Sequence, residues 1–192
     1  MPALPNRNRG RAWLAALLLA WLALPVVAAD DHDFVIKSIE TALEDNVWRL
    51  DAKIDYRFSE AALNALRNGV PLLIQLDIQV RQKRWYWNLT LAELTQGYLL
   101  LYHALSDTYI VHNLNSGTQE HFRNLDAALA SLGHIRNLPL IDAELLAPDR
   151  EYEVRLRALL DIESLPAPMR PMAYISSDWD LDSGWYTWPL TR

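Results

Sequence analysis

Hydrophobic and polar positions alternate along much of this chain, and the longest clean alternation begins at Val47. Trp48, Leu50, Ala52, Ile54, Tyr56 and Phe58 fall on one side; Arg49, Asp51, Lys53, Asp55 and Arg57 fall on the other. Successive strand side chains point to opposite faces, so this period predicts a strand with one buried and one wet face. The wet face alternates in charge sign, which reads as solvated surface. Ser59 then caps a helix over Glu60–Arg67, with Gly69 just past its end. Leu72, Ile74, Leu76, Ile78 and Val80 alternate with Gln75, Asp77, Gln79 and Arg81, and predict a second strand from Val70 to Trp87. That span would be very long for one strand at about 3.3 Å per residue, so a bend or bulge is expected near Gln82 to Arg84.

Leu89–Leu94, Gly97–Leu105 and Thr108–Leu114 are three further strand candidates. Ser106-Asp107 and Asn115-Ser116-Gly117 are turn signals between such runs, which makes a meander, and Thr118–Phe122 reads as a short return strand. Asn124 caps a helix over Leu125–Leu132 that Gly133 stops. Leu138-Pro139-Leu140 leads into a loop or helical turn. Tyr152–Ile162 alternates again, Pro166, Pro168 and Pro171 punctuate the chain, and the segment after Gly184 fits a last strand. Hairpin order without crossover helices predicts an all-β or β-rich α+β fold. The specific expectation is an antiparallel β-sandwich of seven or eight strands with two short helices.

The N-terminus changes the picture. Arg7, Arg9 and Arg11 precede an apolar run from Ala12 to Leu24, Pro25 breaks it, and Val27-Ala28-Ala29 offers small residues before Asp30. This is the pattern of a secretory signal cleaved after Ala29, which predicts a periplasmic protein. The alternative is an uncleaved inner-membrane anchor, for which the run is short. Cleavage would leave a single domain over 30–192 and take the formal charge from −6 to −9. An acidic chain is poorly suited to nucleic acid. With no cysteine in the chain, stability must come from buried apolar and aromatic surface.

Candidate chemistry gathers near the C-terminus, where SSDWDLDSGWYTWPL spans Ser176–Leu190. Asp178, Asp180 and Asp182 have the spacing that opens a calcium loop. The glycine comes one position late, at Gly184, and Pro189 stands where a bidentate Glu is needed, so a turn with solvated aspartates is expected instead. Trp185, Thr187 and Pro189 share one strand face; Tyr186, Trp188 and Leu190 share the other. A domain without disulfides needs large buried side chains, so these aromatics are expected mainly in the core, with at least one ring partly exposed. In a hairpin turning at Ser106-Asp107, His103 would lie diagonally near His112, with Glu120 or His121 close. Their neighbours Leu99, Leu101, Ile110 and Leu114 favour structural histidines over a metal site. No cysteine, Gly-x-Ser-x-Gly elbow or phosphate-cradling glycine loop is present.

Several stretches form an ordered set: Gly69-Val70-Pro71-Leu72; Arg84-Trp85-Tyr86-Trp87; Tyr102-His103-Ala104-Leu105-Ser106 with Tyr109; Phe122 with the Ala127-Ala128-Leu129 helix; Leu160-Asp161-Ile162-Glu163-Ser164-Leu165-Pro166; and Trp179, Ser183, Trp185, Tyr186 and Trp188. From about Asp33 to Leu190 the chain resembles the bacterial family catalogued as domain of unknown function 4390. The resemblance implies an exported proteobacterial protein. Genes of the family often lie beside a membrane sensor kinase of the nitrogen-regulation type and its response regulator. It carries over no catalytic residue.

The expected function is therefore a non-catalytic periplasmic accessory or binding protein, without cofactor or metal, whose partner is such a kinase or another envelope protein. Stable membrane insertion after signal cleavage is not expected. The expected contact residues are Arg84, Trp85, Trp87, Trp179, Trp185, Tyr186 and Trp188, because Trp and Tyr anchor binding hot spots. Two alternatives use nearby residues. One is a small-ligand or glycan module on the same aromatics; the other is an envelope hydrolase built on Asp161 and Asp178 to Asp182.

Overall fold

In the computed structural model, which describes residues 33–190, nine antiparallel strands form two sheets. The predicted leader lies outside the described residues. Strands β1 (Asp33–Glu44) and β2 (Val47–Arg57) make a hairpin whose turn residues, Asp45 and Asn46, have φ of 48° and 66°. Asp and Asn tolerate that left-handed region, as a two-residue hairpin requires. Helix α1 (Glu60–Arg67) follows, then β3 (Leu72–Gln82), β4 (Leu89–His103), β5 (Thr108–Asn113) and β6 (Gln119–Phe122). Helix α2 (Leu125–Leu132) leads to β7 (His134–Asp142), β8 (Tyr152–Leu160), the single-turn α3 (Arg170–Ala173) and β9 (Tyr186–Leu190). The small sheet runs β1-β2-β7 and the large one β6-β5-β4-β3-β8-β9.

The predicted alternations set the register. Ile74, Leu76, Ile78 and Val80 of β3 lie opposite Leu160, Ala158, Leu156 and Val154 of β8, all of them buried. Phe34, Ile36 and Ile39 of β1 and Trp48, Leu50, Ala52, Ile54 and Tyr56 of β2 supply the other layer of the same core. Each fully buried aliphatic side chain contributes about 1.5–3 kcal/mol of transfer free energy. The described residues cluster as one compact unit.

Both predicted helices form with their predicted caps. Ser59 Oγ accepts from Ala62 N–H at 3.1 Å, and Asn124 Oδ1 accepts from Ala127 N–H at 2.8 Å. Gly133 ends α2 for a reason other than backbone handedness, since its φ is −77°. The β2 backbone lies against it: Ile54 N–H donates to Gly133 O at 2.9 Å, and a Cβ at 133 would collide with the Ile54 carbonyl.

The structure has more strands than the seven or eight expected, and three short α-helices among the described residues. β1 carries no clean sequence period because a bulge between Ile36 and Ser38 moves its buried face from even to odd positions. β7 was not expected, because positive φ at Asn137 (53°) and Pro139 interrupt its pattern, and Leu138-Pro139-Leu140 within it leads into the expected helical turn, a 3₁₀ turn over Ala143–Leu145. The Leu89–Leu94 and Gly97–Leu105 segments are one strand, β4, continuous through Gly97. A Cβ there would touch Leu114 Cδ1 at 3.4 Å, and Gly97 N–H donates to Asn115 Oδ1 at 2.8 Å. Close to the bend or bulge expected near Gln82 to Arg84, the β3–β4 register shifts between Val80 and Arg81, and β3 ends at Gln82.

All four edge strands carry a feature that discourages pairing with another chain. β6 has only four residues, β9 contains Pro189, β7 contains Pro139, and β1 has its bulge. Exposed surface, and not an open sheet edge, is where a partner has to be sought.

Candidate functional site

The β3–β4 hairpin closes at the Gln82–Leu89 pair and leaves Lys83 to Asn88 as its tip. The base of the tip is tied to β8 and the loop before it. Lys83 N–H donates to Glu151 O at 2.9 Å, and Asn88 Nδ2 donates to Glu153 Oε1 at 2.9 Å. Glu153 is itself buried. Arg84 N–H donates to Asn88 Oδ1 at 3.3 Å, and its guanidinium donates to Gln82 Oε1 at 3.2 Å.

Three consecutive rings stand on this base. Trp85 is 93 % exposed, Tyr86 50 % and Trp87 64 %. They pack edge to face on one another, with centroids 4.8 Å apart for Trp85–Tyr86 and 4.2 Å for Tyr86–Trp87. Leu89 and Leu91 on β4 and Leu145, 71 % exposed, extend the apolar surface. A hollow of about 760 Å³ beside the rings is lined by Lys83, Arg84, Trp85, Tyr86, Leu145 and Arg150. Sequence reasoning found the rings but missed the three leucines, which follow no readable period.

The other predicted contact residues spread along the large sheet. Trp188 pairs with Val154, two positions from the Tyr152–Leu190 pair that is level with Gln82. It is 37 % exposed and lies on the sheet face turned to the core. Tyr186, opposite Leu156, packs partly buried against the core. Trp185 lies on the outer face beneath Arg155, whose Cζ is 4.5 Å from the ring centroid. Trp179 is corrected: at 6 % exposure it is a core residue and offers nothing to a partner. It closes a 3₁₀ turn (Ser177–Trp179) beside α1, where Ser59 Oγ donates to Asp178 O at 2.6 Å. Of the expected contact residues, the tip thus holds Arg84, Trp85 and Trp87 together, with Trp188 nearest along β9, Tyr186 further down it and Trp185 just before it.

The acidic residues have separate structural partners. Asp161 Oδ1 accepts from Glu163 N–H at 3.0 Å and caps a 3₁₀ turn. Asp178 accepts from Ser176 Oγ at 3.0 Å. Asp182 was expected to face water; instead both its oxygens accept from Arg157 Nε at 2.9 Å, and Nη2 also donates to Oδ2. Burial pushes the Asp182 carboxyl upward, but the Arg157 hydrogen bonds, the Gly184 N–H and the Arg157 charge outweigh it and hold the group below the usual range.

The histidine geometry also differs from expectation. His103 pairs with Thr108 and His112 with Leu99, which puts them at opposite ends of the β4–β5 ladder. Glu120 turns to Ser131, whose hydroxyl donates to it at 2.6 Å. Among the described residues no group of three His, Cys, Asp or Glu could hold a metal ion.

A cleft of about 670 Å³, lined by polar and apolar surface alike, lies between β7, the end of α2 and the inner side of β4 to β6. Gln96, Tyr98, Asn113, Glu120, His134 and Arg136 contribute to its walls. It was not legible in the sequence, because one wall is β7 and the others come from the end of α2 and from three separate strands.

The geometry defines a two-sheet antiparallel β domain with an aromatic hairpin tip, and no described helix is long and apolar enough to cross a membrane. The family model described as Domain of unknown function (DUF4390) matches residues 31–189, and the chain belongs to that family. No curated protein and no solved structure matches it.

Proposed function

We propose that this is an exported, periplasmic, non-catalytic binding protein that acts by presenting the Arg84–Trp87 tip to a partner at the membrane. One observation carries this reading. Trp85 and Trp87 are the two most exposed tryptophans among the described residues, and with Tyr86 they form three adjacent rings on a hydrogen-bonded base, outside the core cluster. An apolar surface kept wet in the free protein is stabilised by whatever covers it. The resemblance supplies the partner class: a membrane sensor kinase of the nitrogen-regulation type, met on its outer side. Export follows from the signal-like pattern ending at Ala29.

The test uses the purified, lipid-free outer part of such a kinase from the same genome. Binding is expected to weaken at least about tenfold in W85A/W87A, the loss of one hot-spot contact or more. Equal binding by parent and variant would remove the tip from this role. Sequencing of the mature N-terminus should find Asp30 first; an intact leader would support the anchored form.

A small-ligand reading is favoured only by the cleft beside β7. It predicts that a soluble sugar or peptidoglycan fragment protects Arg136 from chemical modification, and unchanged reactivity across such ligands would dismiss it.

A further inference from the structure

We propose that the tip seats in the headgroup layer of a lipid bilayer, with Trp85, Tyr86 and Trp87 as the inserted wedge. It gives that surface a lipid contact beside the kinase one and rests on the reading that the tip is a contact surface. It is a shallow interfacial contact, distinct from a membrane span.

The first argument is directional. Strand residues alternate between faces, so a partner docked on one side of a hairpin meets every second side chain. Here three consecutive residues are all exposed, and each ring packs on the next instead of on the sheet. A wedge that is apolar all round is best covered by a fluid that closes around it.

The second argument is chemical. Trp and Tyr join a large apolar ring to an N–H or O–H, and this pairing favours the water–hydrocarbon boundary. Leu89, Leu91 and Leu145 add aliphatic surface behind the rings. The long stems of Lys83, Arg84 and Arg150 stand beside them and can carry their charges up to the phosphates.

Interplanar angles of 73° and 86° leave neighbouring rings without a shared flat face on which a pyranose could stack. The tied base also lowers the ordering cost of any contact made there.

Charge selects the kind of membrane. Lys83 faces Glu151 at 3.9 Å and Arg150 faces Asp149 at 3.6 Å, so this end is nearly balanced, and the chain as a whole is acidic. Ring partition, and not attraction to anionic lipid, therefore drives the contact. Zwitterionic lipid suffices and salt has little effect.

The experiment uses the chain from Asp30, since the described residues form a compact unit containing the whole described core. Phosphatidylcholine vesicles, with and without brominated acyl chains, are titrated while tryptophan emission and co-sedimentation are followed. The parent should bind, shift to shorter wavelength and be quenched by shallow bromines. W85A/W87A should bind about 30- to 100-fold more weakly, from the lost apolar burial of two indoles. W85F/W87F should recover part of that loss. Raising salt from about 50 to about 500 mM should change parental binding less than about threefold.

No binding to phosphatidylcholine, equal binding by W85A/W87A, or binding only to anionic vesicles with steep salt dependence would each overturn the inference. Self-association through the tip, seen as a sedimentation shift that W85A/W87A abolishes without any vesicle binding, would overturn it too. If vesicles fail while W85A/W87A still loses the lipid-free kinase part, the contact surface stands and only the lipid assignment falls. If the variant keeps both, both readings fall.

Discussion

Phe34, Tyr56 and Phe58 form one three-ring cluster in this domain, and Trp85, Tyr86 and Trp87 form another. Phe34 meets Tyr56 edge to face at 4.8 Å and Phe58 at 5.1 Å; Tyr86 meets its two neighbours in the same way at 4.8 and 4.2 Å. Such contacts contribute about 0.5–1.5 kcal/mol each in either setting. The clusters differ in their surroundings. The first is buried between β1, β2 and the start of α1, while the second projects past the last ladder pair of its hairpin. Ring–ring attraction alone therefore does not mark a core. Removal of water from the outer faces of the rings does, and the second cluster lacks it.

The comparison can be broken most forcefully at Phe34. Truncation in F34A should destabilise the fold by about 3–5 kcal/mol, as for other buried Phe, read as a lower urea midpoint. A loss below about 1 kcal/mol would mean that the buried cluster is as dispensable as the exposed one.

A smaller effect places the C-terminal segment between the two. Arg157 holds Asp182 at the root of β9, and the folded-state pKa of Asp182 lies below its unfolded value. The associated stability is fully present above the unfolded pKa, about 3.9, and is lost as pH falls through the lower folded value. The pair is partly solvated, so D182N should cost about 1 kcal/mol near neutral pH and flatten the acid limb of the stability profile below about pH 4. An acid limb that D182N leaves unaltered would assign it to other carboxylates.

Smaller still is the hydroxyl of Tyr56. Burial without a hydrogen-bond partner drives its pKa far up, and the ring, not the hydroxyl, supports the core. Y56F should be neutral or up to about 1 kcal/mol more stable, by relief of an unsatisfied buried group. A clear destabilisation in the same urea titration would show that the hydroxyl has a partner after all.

Much of the architecture was legible because single residues had clear physical meanings. The Trp48-to-Phe58 and Leu72-to-Val80 alternations gave two central strands, and Ser59 and Asn124 gave two helix starts. β1 was hidden because one bulged residue inverted its period. β7 was hidden by Pro139 and the left-handed Asn137, which protect an exposed edge and erase the strand pattern together. Arg84 to Trp87 were singled out for their aromatic content but read as the end of a strand, so that three consecutive rings stand exposed on a hairpin tip was not legible from the period. Trp179 could not be told from its neighbours, since its burial depends on α1, more than a hundred residues earlier in the chain.

The most direct test of this contrast follows stability and contact together in W85A/W87A. The urea midpoint should move by no more than about 0.5 kcal/mol, while affinity for the covering partner, lipid vesicle or kinase outer part, falls at least about tenfold. A stability loss approaching that of F34A, with partner affinity unchanged, would make the tip a piece of architecture and contradict the account.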